Sequence, residues 1–316
     1  MGHPLVETVA LKKYFSTSKG FLHAVDNVNI RIEQGHTLGV VGESGCGKST
    51  LGRTILRLIE PTSGDILFDG KSITGLDKKQ MKSLREEMQL IFQDPFSSLN
   101  PRMTICETIA EPMKLAGLYK SKNERLERVF ELMKIVGLAE RYINTYPHEL
   151  DGGRRQRIGI ARALAMNPRF IVCDEPVSAL DVSIQAQILN LMMDLQDNMG
   201  LTYMFITHDL SVVKHISNHI AVMYLGQCVE MAPTDELFEH PAHPYTQALL
   251  AAIPIPSLDH RKAINVIKGE VTSPVNPKPG CRFAPRCPHA TDACTAQTPE
   301  FREIAPDHYC ACILAK

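Results

Sequence analysis

Residues 42–50 read GESGCGKST, and the reading of those nine residues decides the fold. They fit the spacing G-x-x-x-x-G-K-[ST]. The short apolar run TLGVV (37–41) precedes them, and STLGRTILRLI, patterned as a helix, follows. Strand, glycine-rich turn and helix in that order make a phosphate loop. Gly42, Gly45 and Gly47 let the backbone wrap an anion with its amides pointing inward, and Ser44, Cys46 and Thr50 belong to the same cradle. Lys48 supplies countercharge for the β- and γ-oxygens of a nucleotide, and the Ser49 hydroxyl is placed to ligate Mg²⁺. A glycine-rich turn arising by chance has no reason to carry both groups between a strand and a helix.

A second stretch completes the site. FIVCDEP (170–176) is four apolar residues, as in a buried strand, with Asp174 at the carboxyl end to hold the metal. Glu175 follows, placed to orient or deprotonate a water that attacks the γ-phosphate. "DE" after an apolar run is common surface punctuation by itself. Beside the phosphate loop it argues for a nucleoside triphosphatase.

Composition narrows the setting. The 316 residues are 44% hydrophobic, enough to bury one large core or two modest ones. With 34 basic and 35 acidic side chains the formal net charge is −1, which gives no field to gather nucleic acid or an anionic membrane. No nucleic-acid partner is expected. The opening MGHPLVETVALKKYF lacks the apolar core and cleavage pattern of a signal peptide. No apolar run approaches the roughly eighteen residues a membrane span needs, so work at a membrane would go through partners.

Alternation in LVETVALKKYF and HAVDNVNIRIE predicts early antiparallel strands, and DILFDG a further strand. From about Cys106 to Tyr146 the pattern turns helical. ERLERVFELMKIVGL places Leu126, Val129, Phe130, Met133 and Val136 on one face, with Gly137 as the stop. Strands return in FIVCDE (170–175) and TYMFIT (202–207) around the helical SIQAQILNLMMDLQDNM, which argues for a parallel α/β sheet. HIAVMYLGQCVEMA reads as a hairpin, and beyond Val271 periodicity fades.

Five motifs now stand in order: the loop at 42–50, LDGGRRQR (150–157), DEP (174–176), SALD (178–181) and THD (207–209). The set resembles the nucleotide-binding subunit of an ABC transporter over about residues 5–235. The resemblance implies an α/β fold, a RecA-like P-loop NTPase core with an N-terminal antiparallel β section, a helical subdomain and a C-terminal cysteine-bearing extension. The implied divisions are 1–95, 96–149, 150–235 and 236–316. It also implies MgATP as the nucleotide, with Gln93 sensing the metal and the attacking water. His208 would contact the γ-phosphate, and Asp181 would work across a dimer interface. Phe15 would stack on adenine, with Tyr14 as the alternative. A histidine after TYMFIT could instead cap the helix that begins near Asp209. Its position at the carboxyl end of a sheet strand favours the nucleotide.

Two stretches narrow the likeness. QDPFSSLNPRMTI (93–105) and HPAHPYTQALLAAIP (240–254) resemble the ABC-type ATP-binding subunits, specifically the F-type subunit, of dipeptide and oligopeptide importers, a group that includes nickel importers. The implied assembly has a second, related ATPase subunit, two integral membrane permeases and, indirectly, an extracytoplasmic peptide-binding protein, with this chain on the cytoplasmic face. Phe92 to Ile105 would receive a permease helix, or be an inert loop. His240 and His243 read as a turn before the amphipathic helix TQALLAAI rather than as metal ligands. Soluble ABC-type ATPases of DNA repair or translation usually carry a coiled-coil insertion or two cassettes in one chain, and neither occurs here.

Cys281, Cys287, Cys294, Cys310 and Cys312 crowd the last stretch. In a reducing compartment they favour a metal over disulfides, and a staple would help a segment rich in proline and poor in core. The resemblance implies a [4Fe–4S] cluster on Cys281, Cys287, Cys294 and Cys312, with Zn²⁺ as the alternative and Cys310 a bystander. Either group would be structural, leaving nucleotide binding to the loop. Cys46 and Cys173 read as small core residues.

The signature stretch departs from the family. In relatives the position of Asp151 is a serine and that of Arg154 a glutamine. Hydroxyl and glycine amides there, as at Gly152 and Gly153, grip the γ-phosphate held by the opposite subunit. An aspartate is an equally good helix cap, but it puts a negative charge where that phosphate would sit. The reading expects an asymmetric dimer.

Overall fold

Two strands that are buried along their whole length carry the predicted nucleotide motifs, and both have parallel neighbours. A computed structural model describes residues 4–253 and 273–315. Pro254, at the end of the His-Pro-Tyr stretch, and Val271 lie outside the described residues.

In chain order, β1 (Pro4–Thr17), β2 (Gly20–Glu33), β3 (Thr37–Val41), α1 (Lys48–Ile55), β4 (Ser63–Phe68) and β5 (Lys71–Ser72) come first. Then follow α2 (Lys78–Glu87), β6 (Met88–Ile91), α3 (Pro95–Ser98), α4 (Ile105–Ala116), α5 (Lys122–Ile135), α6 (Gly152–Leu164), β7 (Phe170–Asp174) and α7 (Val182–Met199). The remainder is β8 (Thr202–Ile206), α8 (Leu210–Ile216), β9 (His219–Tyr224), β10 (Gln227–Pro233), α9 (Thr234–Glu239), α10 (Pro244–Ala251), α11 (Asp292–Ala296), β11 (Arg302–Ala305) and β12 (His308–Cys310). One compact unit holds Glu33–His36 and Gly75–Met204; the other holds the described residues up to Ile32, Thr37–Thr74 and those from Phe205 onward.

In the second of these units the early strands form a four-stranded sheet of order β2-β1-β4-β5, with Val6 opposite Phe68 in an antiparallel pair. β3 runs parallel to β9, with Val40 opposite Ala221. Every residue of TLGVV is buried, as a parallel strand covered on both faces requires, and this is why it carries no alternation. The expected hairpin is present: β10 folds back on β9 through Leu225 and Gly226, both at positive φ (44° and 85°). That pair of left-handed residues gives the turn that matches strand twist. β12 adds antiparallel to β10, with Cys310 opposite Glu230, and β11 pairs with β12.

The first unit contains the parallel pair β6–β7, with Leu90 opposite Val172. α4 begins with a capping box of Thr104 and Glu107 and ends at Gly117, φ 74°. α5 ends as expected at Gly137, φ 69°. Of the predicted face, Val129 and Met133 are buried, as is Val136 just past the helix, while Leu126 and Phe130 are half-buried; Leu132 is buried in addition. α2 escaped the sequence reading because it buries only Met81 and is otherwise polar. Among the described residues no helix is long and apolar enough to cross a membrane.

Candidate functional site

The phosphate loop keeps the shape its glycines predict. At Gly47 (φ 105°) a side chain would put Cβ 2.0 Å from the Ala24 carbonyl oxygen, so no other residue fits there. Gly47 is also the cap of α1, with no side-chain cap and no acidic residue in the first turn, which leaves the helix start open to an anion. Lys48 is 5% exposed, and its Nζ donates to the carbonyls of Gly42 (2.8 Å) and Glu43 (3.0 Å). The loop thus holds its ammonium on its own backbone, at the place where phosphate oxygens would replace those carbonyls. Cys46 is buried, and burial pushes its thiol up, in keeping with a core role. Gly226 N–H donates to the Cys46 carbonyl at 2.8 Å, fixing the loop to the β9–β10 turn.

The motifs of the other unit gather at the end of β7. Asp174 is buried at 1% exposure, and Glu175 follows at φ 47°. A left-handed glutamate is uncommon and costs conformational energy of the kind that accumulates at active sites. Gln93 Nε2 donates to Glu175 Oε2 at 2.9 Å, although the two are 82 residues apart. The sequence-predicted sensor and base are therefore in direct contact. Cys173 is fully buried, which raises its thiol well above the ordinary range. Asp181 caps α7 without a side-chain bond, and its neighbour Val182 is 84% exposed.

His208 is exposed and follows β8. It is not the cap of the next helix: Asp209 accepts from the Ser211 amide at 2.8 Å and takes that role. His243 caps α10, its Nδ1 accepting from the Tyr245 amide at 3.0 Å, and burial lowers its pKa to about 4. The turn-and-helix reading of this stretch describes it.

Near the N-terminus Tyr14 is committed elsewhere. Its ring stacks on His23 with centroids 3.8 Å apart, and its hydroxyl donates to Asp26. Burial, with the Asp26 hydrogen bond, raises its pKa. Phe15 is half-buried, with the Lys13 ammonium 4.9 Å from its ring centre.

The signature helix α6 starts at a filled terminus. Asp151 accepts from the Arg154 amide at 2.8 Å and pairs with the Arg154 guanidinium. Gly153 packs so closely that an added Cβ would lie 2.6 Å from Ile184 Cγ2, while Gly152 would meet Leu180 Cδ2 at 3.2 Å. Further along, Arg155 lies 3.7 Å from the Phe96 ring centre, and Arg162 donates to the Ser98 carbonyl at 2.6 Å. Both contacts tie α6 to the segment just after Gln93.

In the tail, Cys281, Cys287, Cys294 and Cys312 line one small cavity of about 10 Å³ together with His243, Phe283 and Leu314. Burial raises the thiols of Cys281 and Cys287, and the nearby Cys294 and Cys312 add to the effect. Backbone amides oppose it: Phe283 and Ala284 reach Cys281, and His289 reaches Cys287. Thr291 N–H donates to Cys294 Sγ at 3.5 Å. Cys310 instead faces the core at 0% exposure. Among the described residues no group of three or more His, Cys, Asp or Glu side chains is arranged to hold a metal ion.

Sequence reading missed the ties between this tail and the loop. Arg286, between Cys281 and Cys287, pairs with Glu43 of the phosphate loop, and Arg282 pairs with Asp26. No local signal in the sequence marks either arginine as the partner of so distant a carboxylate.

Comparison with known proteins identifies the family. Residues 25–178 match the family described as ABC transporter, and residues 229–294 match the oligopeptide/dipeptide transporter C-terminal region. Two relatives from Bacillus subtilis are the oligopeptide transport ATP-binding proteins AppF, 51% identical over 98% of this chain and 97% of its own length, and OppF, 50% identical over 100% and 98%. Among solved structures, the dimeric cassette MJ0796 bound to ADP and Pi in a post-hydrolysis state is 31% identical, with a TM-score of 0.66 over 72% of this chain and 98% of that one. The Clostridium perfringens protein cbiO1, part of the transporter complex cbiONQ, is 28% identical with a TM-score of 0.67 over 75% and 92%. The fold is that of an ABC ATPase cassette, and the chain belongs to the ABC transporter family, in the group whose cassette is followed by the oligopeptide/dipeptide transporter C-terminal region.

Proposed function

We propose that this chain hydrolyses ATP at its own phosphate loop to drive uptake of dipeptides or oligopeptides through two membrane permeases, and that it pairs with a second, non-identical ATPase subunit on the cytoplasmic face. The relatives AppF and OppF, both oligopeptide transport ATP-binding proteins, support that cargo. The Gln93–Glu175 contact supports the catalytic roles, because it holds the base at the end of the strand that carries Asp174. Ser49, Asp174 and Gln93 are the side chains that would ligate Mg²⁺, which would neutralise developing phosphate charge. His208 would contact the γ-phosphate. Adenine would stack on Phe15, since Tyr14 is already engaged by His23 and Asp26.

The observation that carries the pairing is Asp151. Its carboxylate occupies the terminus of α6, where a neutral donor would receive the phosphate bound by the opposite subunit. A homodimer would have two such filled signatures and no intact one. With a distinct partner, this chain's loop meets an intact signature and turns over, while the reciprocal site is slow. Exposed Val182 beside Asp181 fits a surface that the partner covers.

For the tail we favour a [4Fe–4S] cluster over Zn²⁺. Zinc draws four sulfurs to about 2.3 Å of one point, whereas a cluster takes one thiolate per iron and spaces them more widely. Four cysteines around one cavity, with the Thr291 amide donating to Cys294 Sγ, support that choice. When bound, the group would staple the tail; the residues named would hold it.

The test is to purify the intact membrane complex by a tag on this chain and identify its subunits. One further, different ATPase and two permeases are expected. A complex whose only ATPase is two copies of this chain would overturn the pairing.

A further inference from the structure

Glu43 is held at every polar group it has. Its carboxylate takes both terminal nitrogens of Arg286, at 2.7 and 2.9 Å. Its amide donates to the Tyr245 hydroxyl at 2.9 Å, and its carbonyl accepts from Lys48 at 3.0 Å. Glu43 is the second residue of the phosphate loop. Arg286 lies 243 residues later, in the turn between Cys281 and Cys287, and Tyr245 belongs to the His-Pro-Tyr stretch.

A second fastening runs beside the first. Arg282, also in the cysteine turn, donates to the Leu225 carbonyl and pairs with Asp26. The next residue after Leu225 is Gly226, whose amide holds the Cys46 carbonyl inside the loop. The side chains of Arg282 and Arg286 are only 7% and 6% exposed. Buried guanidiniums need their partners, so these contacts have one geometry and resist rearrangement.

We propose that Arg286 and Tyr245 are positioning residues for nucleotide binding: the tail shapes the phosphate loop through Glu43, and affinity for ATP therefore depends on the tail being docked. The loop must keep its amides pointing inward before a phosphate arrives, and Glu43 begins the turn that aims them. Holding its amide, carboxylate and carbonyl from three directions leaves that turn little freedom. The alternative is that the same contacts only fasten the tail to the rest of its unit. The two differ in what they move. Fastening alone changes stability, whereas positioning changes the ATP concentration at which the site fills. The inference rests on the identification of the loop as an ATP site and is independent of cargo, partner and metal.

The experiment uses the full chain in the assembled complex, with Arg286→Gln, Glu43→Gln, the pair together, and Arg286→Lys. KM for ATP and kcat are measured separately, with mant-ATP binding and Tm alongside. Arg286→Gln should raise KM roughly three- to tenfold with kcat within about twofold of the original. Glu43→Gln should do the same, and the double variant should be no worse than either, because both remove one interaction. Arg286→Lys should recover only part, since an ammonium cannot span both carboxylate oxygens. Tyr245→Phe, which keeps the ring, should also raise KM. Unchanged KM in Glu43→Gln, whatever its Tm, would overturn the proposal, as would losses from Arg286 and Glu43 that simply add. If Arg286→Gln does not assemble, Glu43→Gln and Tyr245→Phe decide the matter alone.

Discussion

Asp151 and Arg154 satisfy each other at the start of α6: the aspartate accepts the arginine's backbone amide at 2.8 Å and pairs with its guanidinium as well. The phosphate-loop helix has no such plug, for Gly47 caps it with no side chain and no acid follows. Two helix starts in one chain are thus treated oppositely, one left open to an anion and one already supplied with its own. Two like charges about 4 Å apart repel by roughly 4 kcal/mol at an effective dielectric of about 20, before solvent screening reduces it. Replacing Asp151 by Ser together with Arg154 by Gln should therefore raise turnover at the reciprocal site of the assembled complex by about tenfold or more. The fold should hold, since serine caps equally well. Site-resolved turnover after inactivating the other site reads this out, and no change would reduce Asp151 to a cap.

Lys48 sits on the carbonyls of Gly42 and Glu43, where it waits for phosphate oxygens. Lys48→Ala should weaken MgATP binding by at least about tenfold, as the loss of a charge-assisted contact implies. Equilibrium binding of a fluorescent ATP analogue checks it. A variant that binds normally and fails only in turnover would move Lys48 out of ground-state recognition.

The [4Fe–4S] cluster proposed for Cys281, Cys287, Cys294 and Cys312 predicts colour. Anaerobically purified protein should be brown and carry iron, and Cys287→Ser or Cys294→Ser should remove both and loosen the C-terminus. Stoichiometric zinc without iron would leave only the staple. The sequence suggests that such variants keep nucleotide binding intact. Because Arg286 ties this turn to Glu43, they are now expected to raise KM for ATP as well.

The docking of β12 should depend on pH. His308, 2% exposed, meets Glu230 at 2.8 Å and Glu236 at 3.5 Å, and the Glu230 hydrogen bond holds its pKa above the ordinary value. A raised histidine stabilises fully below its unfolded pKa of about 6.5, and the contribution fades as pH rises through the folded value. His243, lowered to about 4 by burial, acts in the other direction and removes stability as pH falls below about 6.5. Amide exchange at 308–310 should therefore be slower at pH 6.5 than at pH 8.5 after correction for intrinsic rates. In His308→Gln that difference should vanish. Equal protection at both pH values in the original protein would contradict the assignment.

Much of this arrangement could be read in the residues. TLGVV and FIVCD are continuous apolar runs because both their faces are covered, so strands and phosphate motifs were visible together. α2 was not, because a helix burying only Met81 has no apolar stripe to find. The face of α5 was legible at Val129, Met133 and Val136, whereas the burial of Leu132 beyond the predicted stripe is set by tertiary packing rather than by local period. At the site, Glu175 was legible from its place after an apolar strand and Gln93 from the family resemblance, while their direct contact was not. The Arg286–Glu43 pair was not legible. Nothing local distinguishes one arginine among many as the partner of a glutamate 243 residues earlier.

The central claim is that Glu175 of this chain is the base for the turnover that drives uptake. The direct test places Glu175→Gln in this subunit alone, within the complex reconstituted in liposomes, and measures ATP hydrolysis and peptide uptake side by side. ATP should still bind, while hydrolysis and uptake both fall to a few per cent, by roughly the hundredfold or more expected for a lost general base. Hydrolysis or uptake at the unmodified rate would contradict the account.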